Sequence, residues 1–152
     1  MAHPRDILLG AQAGAIWLPV CDHYCGVEVR IAKSLQLQAE MMQEFGACVF
    51  DVTLDCEDGA PVGGEIEHAH LVKEIASGAS PEARVAVRVH PVDHPSFLDD
   101  VNLIVGHARQ SLRHVMIPKV ESVADVDAAA SALNQAGAFN LPLHVLIESP
   151  AA

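Results

Sequence analysis

The sequence alternates short β-strand patterns with longer helical patterns along nearly its whole length. The strand patterns lie at Ile16–Val20, about Cys48–Cys56, Val85–Val89, Val115–Ile117 and Leu143–Ile147. The helical patterns between them lie at Val27–Phe45, about Glu65–Ala76, Phe97–Ala108 and Ser122–Gln135. Because parallel strands need crossover connections, which helices supply, this order predicts an α/β fold with a parallel sheet.

Two architectures fit this order of elements. Five strands suit a doubly wound open sheet, and they also suit the first five units of a (β/α)8 TIM barrel. A doubly wound domain usually ends in a helix packed on its sheet, but here only a few residues follow the apolar run Leu143–Ile147. We therefore expect a TIM barrel, with residues 1–152 as the N-terminal part of a single barrel domain.

The charge of the chain limits its partners. Twenty acidic residues against nine basic ones give a net charge of −11, which argues against nucleic acid and anionic membranes as the main partner. A small anionic substrate remains compatible, because a local arginine or a metal ion can reverse the field inside a pocket. No apolar run reaches the length of about 18–20 residues that a membrane span needs, so we expect a cytoplasmic protein.

One segment, CDHYC, contains residues of the kinds that bind zinc: Cys21, His23 and Cys25. No second pair of ligands lies at zinc-site spacing, so we expect reduced thiols and keep a structural zinc as the alternative. The other histidines are scattered, with His90 nearest the predicted site, and we expect none of them to bind metal.

Acidic residues crowd the second strand pattern. Side chains alternate across a strand, so one face carries Asp51, Thr53, Asp55 and Glu57. In a barrel this face turns to the interior, where carboxylates need cationic compensation. Asp51 and Asp55 are therefore candidates either for chemistry or for structural ion pairs, for instance of Asp55 with Arg88 or Lys119.

Charged residues also stand at the ends of the strand patterns, where α/β proteins build their sites. Glu57 and Asp58 precede Gly59, Arg88 ends VAVR, and Glu148 ends LHVLIE. We predict catalytic roles for Arg88, Glu57 and Asp58. We predict that Glu148 binds Mg²⁺, which takes few protein carboxylates. For Arg88, a salt bridge to Asp55 or Glu57 is the alternative.

Lys119 follows the fourth strand pattern in IPKVES. A lysine at this place could form a Schiff base with a carbonyl substrate, as in lysine-dependent aldolases. The alternatives are an ion pair with an acid of the second strand and a solvated side chain, and we favour these.

Four segments in this order resemble the citrate lyase β-subunit-like group of the HpcH/HpaI aldolase superfamily, which includes malyl-CoA lyases: VFDVTLDCEDGAP, VAVRVHPVDHPSFLDDV, HVMIPKVESVADV and LHVLIESPAA. The resemblance implies a TIM barrel, Mg²⁺ and a homotrimer or homohexamer. It also implies cleavage of a 3-hydroxyacyl thioester, carried by CoA or an acyl-carrier protein, into an acyl thioester and a 2-oxo acid.

The resemblance also implies roles for single residues. Arg88 would bind the 2-oxo acid and steady the enolate, Glu148 would bind Mg²⁺, and Glu57 and Asp58 would lie near the metal waters and the substrate. His90 stands where the family has Asn, and Ser149-Pro150 replaces Thr-Ala. A second metal-binding Asp of the family is absent from these 152 residues.

Three functions are therefore open. The first is a Mg²⁺-dependent lyase of the citryl-CoA or malyl-CoA type. The second is a lysine-dependent aldolase working through Lys119. The third is a non-catalytic or degenerate barrel subunit that binds a partner protein.

Overall fold

The computed structural model of the protein describes residues 19, 21–150 and 152. Its strands are β1 (Cys21–Cys25), β2 (Phe50–Asp55), β3 (Val85–Arg88), β4 (Leu112–Ile117) and β5 (Leu143–Val145). Its helices are α1 (Glu28–Phe45), α2 (Glu65–Gly78), α3 (Phe97–Asp100), α4 (Gly106–Ala108) and α5 (Val123–Gln135). A π-helical turn, Val101–Val105, joins α3 to α4.

The five described strands form one parallel sheet in the order β1-β2-β3-β4-β5. Each crossover therefore moves one strand along in the same direction. A doubly wound sheet instead reverses direction at a switch point in its strand order. The sequential order confirms the predicted α/β fold and favours the barrel over the doubly wound alternative.

The sheet curls around one of its faces. Side chains of β1 reach β4, although three strand pairings separate them: Tyr24 Oη lies 2.9 Å from Met116 Sδ, and Asp22 Oδ2 lies 3.1 Å from His114 Nε2. This inner face also carries Asp51, Thr53, Asp55, Arg88 and His144. The predicted alternation along β2 is thus confirmed, with its acids on the inner face.

The outer face of the sheet is apolar and packs against the helices. Its fully buried residues include Val52, Leu54, Val85, Val87, Val115 and Ile117. They join a core to which the helices contribute Ile31, Val72, Ala76, Ile104 and Ala129. Burial of this apolar area drives the fold, and it leaves the inner face free for polar side chains.

Local signals in the sequence set most element boundaries. Gly46 ends α1 with φ +67°, and its N–H donates to the carbonyl of Met42. Ser122 and Asp125 form the predicted capping box at the start of α5. The helix predicted over Phe97–Ala108 is present, but the π-helical turn interrupts it, where the N–H of Gly106 reaches back to the carbonyl of Val101.

The first strand differs from the sequence prediction. The strand predicted at Ile16–Val20 lies, apart from Pro19, outside the described residues. The first described strand is the polar segment Cys21–Cys25, which pairs with β2. The sequence did not reveal this strand because it is polar: Asp22 and Tyr24 face a polar interior rather than an apolar core.

No described helix combines the length and the hydropathy that crossing a membrane requires.

Candidate active site

Arg88 and Asp55 form the centre of the site, at the C-terminal ends of β3 and β2. The two residues are register partners, and the arginine binds the carboxylate in a fork, with Nε–Oδ1 at 2.7 Å and Nη2–Oδ2 at 2.5 Å. The Asp55 side chain is fully buried, and that of Arg88 is 10% exposed. Burial lowers the pKa of Arg88, but its hydrogen bonds to Asp55 and nearby acids outweigh burial and raise it.

Tyr24 of β1 contacts the site across the inner face of the sheet, with its ring over Arg88. The guanidinium carbon of Arg88 lies 5.0 Å from the centre of the Tyr24 ring. An arginine stacked on an aromatic ring keeps its plane fixed and its charge compensated. Arg88 is therefore held by an ion pair on one edge and by a ring on one face.

Glu57 connects Arg88 to Lys119. Its side chain is only 5% exposed, its Oε1 forms an ion pair with Lys119 Nζ, and its Oε2 lies 3.4 Å from Arg88 Nη1. Oε2 is buried and has no hydrogen-bond partner. A buried carboxylate oxygen without a partner is costly, so this atom marks a place where a ligand oxygen, a hydroxyl or a cation would be stabilised.

Lys119 brings two further carboxylates to the same rim. Its backbone N–H donates to Glu148 Oε1 at 2.9 Å, and its Nζ lies 3.5 Å from Asp58 Oδ1. Lys119 has φ +52°, which no other described non-glycine residue shares in sign, and such strain often accompanies functional sites. Hydrogen bonding to Glu57 raises the pKa of Lys119.

The structure thus brings the predicted site residues together on one rim. Arg88 and Glu57 are buried at its centre, whereas Asp58 and Glu148 lie exposed at its edge. Both predicted alternatives for Arg88, the ion pairs with Asp55 and with Glu57, are present. Asp51 is paired separately, with Arg84.

The donors at this rim are the oxygen ligands that Mg²⁺ prefers. Glu148 offers an exposed carboxylate, and Glu57 offers Oε2, which accepts no hydrogen bond and lies 3.4 Å from Arg88 Nη1. Within the described ranges, however, no three rim acids lie close enough to share one ion. The rim therefore fits Mg²⁺ held by one or two carboxylates, with water and substrate oxygens completing the coordination.

Asp55 also fixes the loop that carries Glu57 and Asp58. Its carboxylate accepts the backbone N–H of Glu57 at 3.0 Å and of Gly59 at 2.8 Å. A Cβ at Gly59 would lie 2.3 Å from Asp55 Oδ2, so only glycine allows the loop to fold this closely over the carboxylate. Asp55 has a structural role in this arrangement.

His90 lines a neighbouring cleft of about 240 Å³, together with Glu57 and Lys119. Its Nδ1 lies 2.6 Å from Asp100 Oδ2, and the same oxygen accepts the His90 backbone N–H at 2.9 Å. Burial raises the pKa of Asp100. The sequence prediction missed Asp100, which looked like one of several helix acids, and only its apolar neighbours hinted at burial.

A second polar cluster lies lower on the inner face: Asp22, His114 and His144. Their ligand atoms all lie within 4.8 Å of one another, and no other such group of three occurs in the part of the chain that the structure describes. From the sequence we expected no histidine to bind metal, and the sequence did not predict this cluster. The missed signal was the placement of both histidines on strands, at inner-face positions.

The CDHYC segment is strand β1, in which Cys21 is exposed and Cys25 is buried in the core. Its Cys21, His23 and Cys25 do not form a group of possible metal ligands among the described residues. Desolvation by burial raises the pKa of the Cys25 thiol, as expected for an inert core cysteine. All four cysteines are free, in agreement with the prediction of reduced thiols.

Comparisons with solved structures agree with the α/β fold described above. A citrate lyase from Burkholderia xenovorans LB400 is 40% identical with a TM-score of 0.74, and the match covers 90% of this chain and 43% of that chain. A malate synthase from Haloferax volcanii, solved as a magnesium/glyoxylate complex, is 22% identical with a TM-score of 0.63, covering 86% of this chain and 42% of that one. The second likeness shows the fold alone, and this chain spans less than half the length of either protein.

A search of curated proteins found no match. The sequence profile of one family, HpcH/HpaI aldolase/citrate lyase, matches residues 35–152 and so covers most of the chain. That range includes the four segments on which the sequence resemblance rests. The chain belongs to the HpcH/HpaI aldolase/citrate lyase family.

Proposed function

We propose that this chain provides the Arg88 site of a magnesium-dependent carbon–carbon lyase. Its substrate is a 3-hydroxyacyl thioester of the citryl-CoA or malyl-CoA type, cleaved into an acyl thioester and a 2-oxo acid. One observation carries the proposal: Arg88 and Lys119 converge with four carboxylates at the C-terminal ends of consecutive parallel strands. In barrel enzymes this rim is where active sites form.

Arg88 has the properties that the cleavage step needs. Breaking the bond between the thioester α-carbon and the hydroxyl-bearing carbon leaves an electron pair on the thioester, as an enolate. A fixed guanidinium offsets that charge without having to reorient during the reaction. Asp55 and Tyr24 supply the fixing, because they occupy one edge and one face of the guanidinium.

The carboxylates have complementary roles in the proposal. Cleavage requires the substrate hydroxyl to lose its proton as its carbon becomes the carbonyl of the 2-oxo acid. The buried Oε2 of Glu57 has no hydrogen-bond partner and is able to accept a hydrogen bond from that hydroxyl. Asp58, at the exposed edge, is placed to contact the substrate or the water around the metal.

Mg²⁺ would be held by Glu148, which contacts Lys119 as Glu57 does. When bound, it supplies Lewis-acid polarisation of the 2-oxo acid oxygens. Lys119 orients Glu148 directly, because its backbone N–H donates to Glu148 Oε1 at 2.9 Å. A carboxylate oriented in this way binds a metal better than a freely rotating one.

The alternative through Lys119 fits the geometry less well. A Schiff-base lysine must lose its proton near neutral pH, which requires a lowered pKa. Here the hydrogen bond with Glu57 raises the pKa of Lys119, and the charge of Asp58 adds to it. The ammonium group of Lys119 instead pairs with Glu57 and Asp58, while its backbone N–H holds Glu148.

The assay that tests the proposal measures 2-oxo acid release from citryl-CoA and malyl-CoA by the purified protein. We expect EDTA to abolish release and Mg²⁺ to restore it, with no borohydride-trapped adduct at Lys119. Release that survives metal removal, or a mass increase at Lys119, would contradict the proposal. Absence of release under every condition would favour the non-catalytic subunit.

The family resemblance supports two further proposals: the protein is a homotrimer or homohexamer, and its thioester is carried by CoA or an acyl-carrier protein. A third proposal, that the protein is cytoplasmic, rests on the hydropathy of the sequence. Light scattering during size-exclusion chromatography measures the oligomeric state. The same cleavage assay, run with each carrier in turn, identifies the thioester.

A further inference from the structure

We propose that Asp22, His114 and His144 bind one transition-metal ion of the Zn²⁺ class, as a link between β1, β4 and β5 on the inner face of the sheet. This site is separate from the proposed Mg²⁺ site at the rim. It does not depend on the lyase function, and it rests on the geometry and chemistry of the three side chains.

The three ligand atoms are already close to one another. Asp22 Oδ2 lies 3.1 Å from His114 Nε2, and the rings of His114 and His144 stack with centroids 3.7 Å apart and an angle of 16°. All three ligand atoms lie within 4.8 Å of one another. Zinc bonds of about 2.0–2.1 Å in a tetrahedron separate ligand atoms by roughly 3.3 Å, so binding draws the atoms together and tilts the two rings out of their stack, because the ion lies in the plane of each imidazole that binds it.

A neighbouring residue orients the carboxylate. Thr53 of β2, which is fully buried, donates its hydroxyl proton to Asp22 Oδ1 at 2.6 Å. This bond occupies one carboxylate oxygen and directs the other, Oδ2, toward His114. Such a hydrogen bond from a residue that is not itself a ligand is a usual feature of protein metal sites.

The kinds of ligand select the kind of metal. Two imidazoles and one carboxylate suit Zn²⁺, Co²⁺, Ni²⁺ and Fe²⁺, whereas Mg²⁺ takes oxygen ligands. The two proposed sites also share no residue, since Glu148 lies four residues after His144 and belongs only to the rim. The two sites are therefore distinguishable by metal and by residue.

The placement suggests what the ion does. Asp22 lies on β1, whereas His114 and His144 lie on the neighbouring strands β4 and β5. In the described structure Tyr24 and Met116 join β1 to β4 across the inner face, and a second hydrogen bond does so between Asp22 and His114, whose ring stacks on His144. A metal ion would replace that hydrogen bond with three coordinate bonds, so that binding stabilises the fold.

The test is a Co²⁺ titration of the metal-free protein, followed by visible absorption, with Zn²⁺ as competitor. We expect one equivalent of Co²⁺, a d–d spectrum without a thiolate charge-transfer band, displacement by Zn²⁺, and a higher Tm with Zn²⁺. His144→Ala removes an exposed ligand and should weaken binding more than about tenfold. Asp22→Asn should weaken it similarly while keeping the oxygen that Thr53 contacts.

The matched control is His94→Ala. His94 is exposed, and its ring stacks on His90 with centroids 4.2 Å apart. The substitution therefore removes one ring of the other stacked histidine pair. It should bind Co²⁺ as the unmodified protein does, and so should Glu148→Gln. Three outcomes overturn the proposal: no binding at millimolar Co²⁺, a thiolate band, or equal affinities in His144→Ala and His94→Ala.

Discussion

Two ion pairs on the same face of β2 and β3 differ in what surrounds them. Asp51 with Arg84 and Asp55 with Arg88 have the same forked geometry, four residues apart along each strand. In the lower pair, Arg84 has a 28% exposed side chain and stands just before β3. In the upper pair, Arg88 is 10% exposed and ends β3.

The end of the sheet at which an ion pair lies, rather than the pair itself, therefore decides whether it becomes part of a site. The upper pair lies beneath the loops that follow the strands, and these loops add Glu57, Lys119 and Glu148. The lower pair lies at the opposite end of the strands, where α/β barrels keep residues for stability. Of the predictions below, Arg88→Met and Arg84→Met compare the two ends of the sheet directly.

The largest effect is expected from Arg88→Met. It leaves Asp55 buried without its cation, which should lower the free energy of unfolding by about 3–5 kcal/mol. It should also abolish thioester cleavage, because the enolate loses its cation. Urea unfolding and the cleavage assay measure the two effects. A stable, active Arg88→Met protein would show that the upper pair is dispensable.

Gly59→Ala should come next. The added Cβ meets Asp55 Oδ2 at 2.3 Å, so the loop over the upper pair must move. We expect a loss of about 1–3 kcal/mol, typical of overpacking, together with reduced cleavage because Glu57 and Asp58 shift. Gly78→Ala is the control, because a Cβ there meets nothing within 4 Å. Equal effects of the two substitutions would contradict the close packing of Gly59.

Arg84→Met should have a smaller effect, of about 1–2 kcal/mol on unfolding, because this pair is partly solvated. Cleavage by the folded protein should be unchanged in kcat/KM, since Arg84 lies away from the rim. This variant is the direct counterpart of Arg88→Met. Loss of activity with an intact fold would remove the distinction between the two pairs.

Asp100→Asn tests what a buried acid does with a histidine instead of an arginine. Burial raises the pKa of Asp100 above 3.8, and the neighbouring His90 and His68 only partly oppose this. A raised pKa in the folded state means that the ionised form destabilises the fold at neutral pH, and that this cost is relieved as pH falls through the folded pKa.

The stability of the unmodified protein should therefore rise relative to Asp100→Asn as pH is lowered toward 4. The slope of that difference is at most about 1.4 kcal/mol per pH unit, because one proton is involved. Urea unfolding of both proteins between pH 7 and pH 4 measures it. A difference that falls toward acid would mean that the pKa of Asp100 is lowered instead.

The sequence predicted the rim well because strand ends are local signals. Arg88 and Lys119 each follow a short apolar run, Glu57 ends the acidic strand pattern, and parallel strands end on the same side of a sheet. The sequence offered the pairing of Arg88 with Asp55 only as an alternative, because burying either charge alone is costly. No contact between distant elements was needed for these predictions.

The sequence did not predict what depends on the curvature of the sheet. Asp22 and His114 lie on strands that are not neighbours, and they meet only because the sheet curls. The position of β1 was also missed, since a strand with a polar inner face lacks an apolar run. Asp100 was missed because it looked like one of several helix acids, although it lies three residues after Phe97 and four before Ile104, both of which are buried.

The central claim is that the rim binds a divalent metal through Glu148 for thioester cleavage. Its most direct test is the Mg²⁺ dependence of kcat/KM for the unmodified protein, Glu148→Gln and Glu121→Gln. Glu121 is the matched control, an acid whose Oε1 accepts a hydrogen bond from Ser149 at 2.7 Å. We predict that only Glu148→Gln needs more Mg²⁺, by more than about tenfold. Equal Mg²⁺ dependence in all three proteins would contradict metal binding by Glu148.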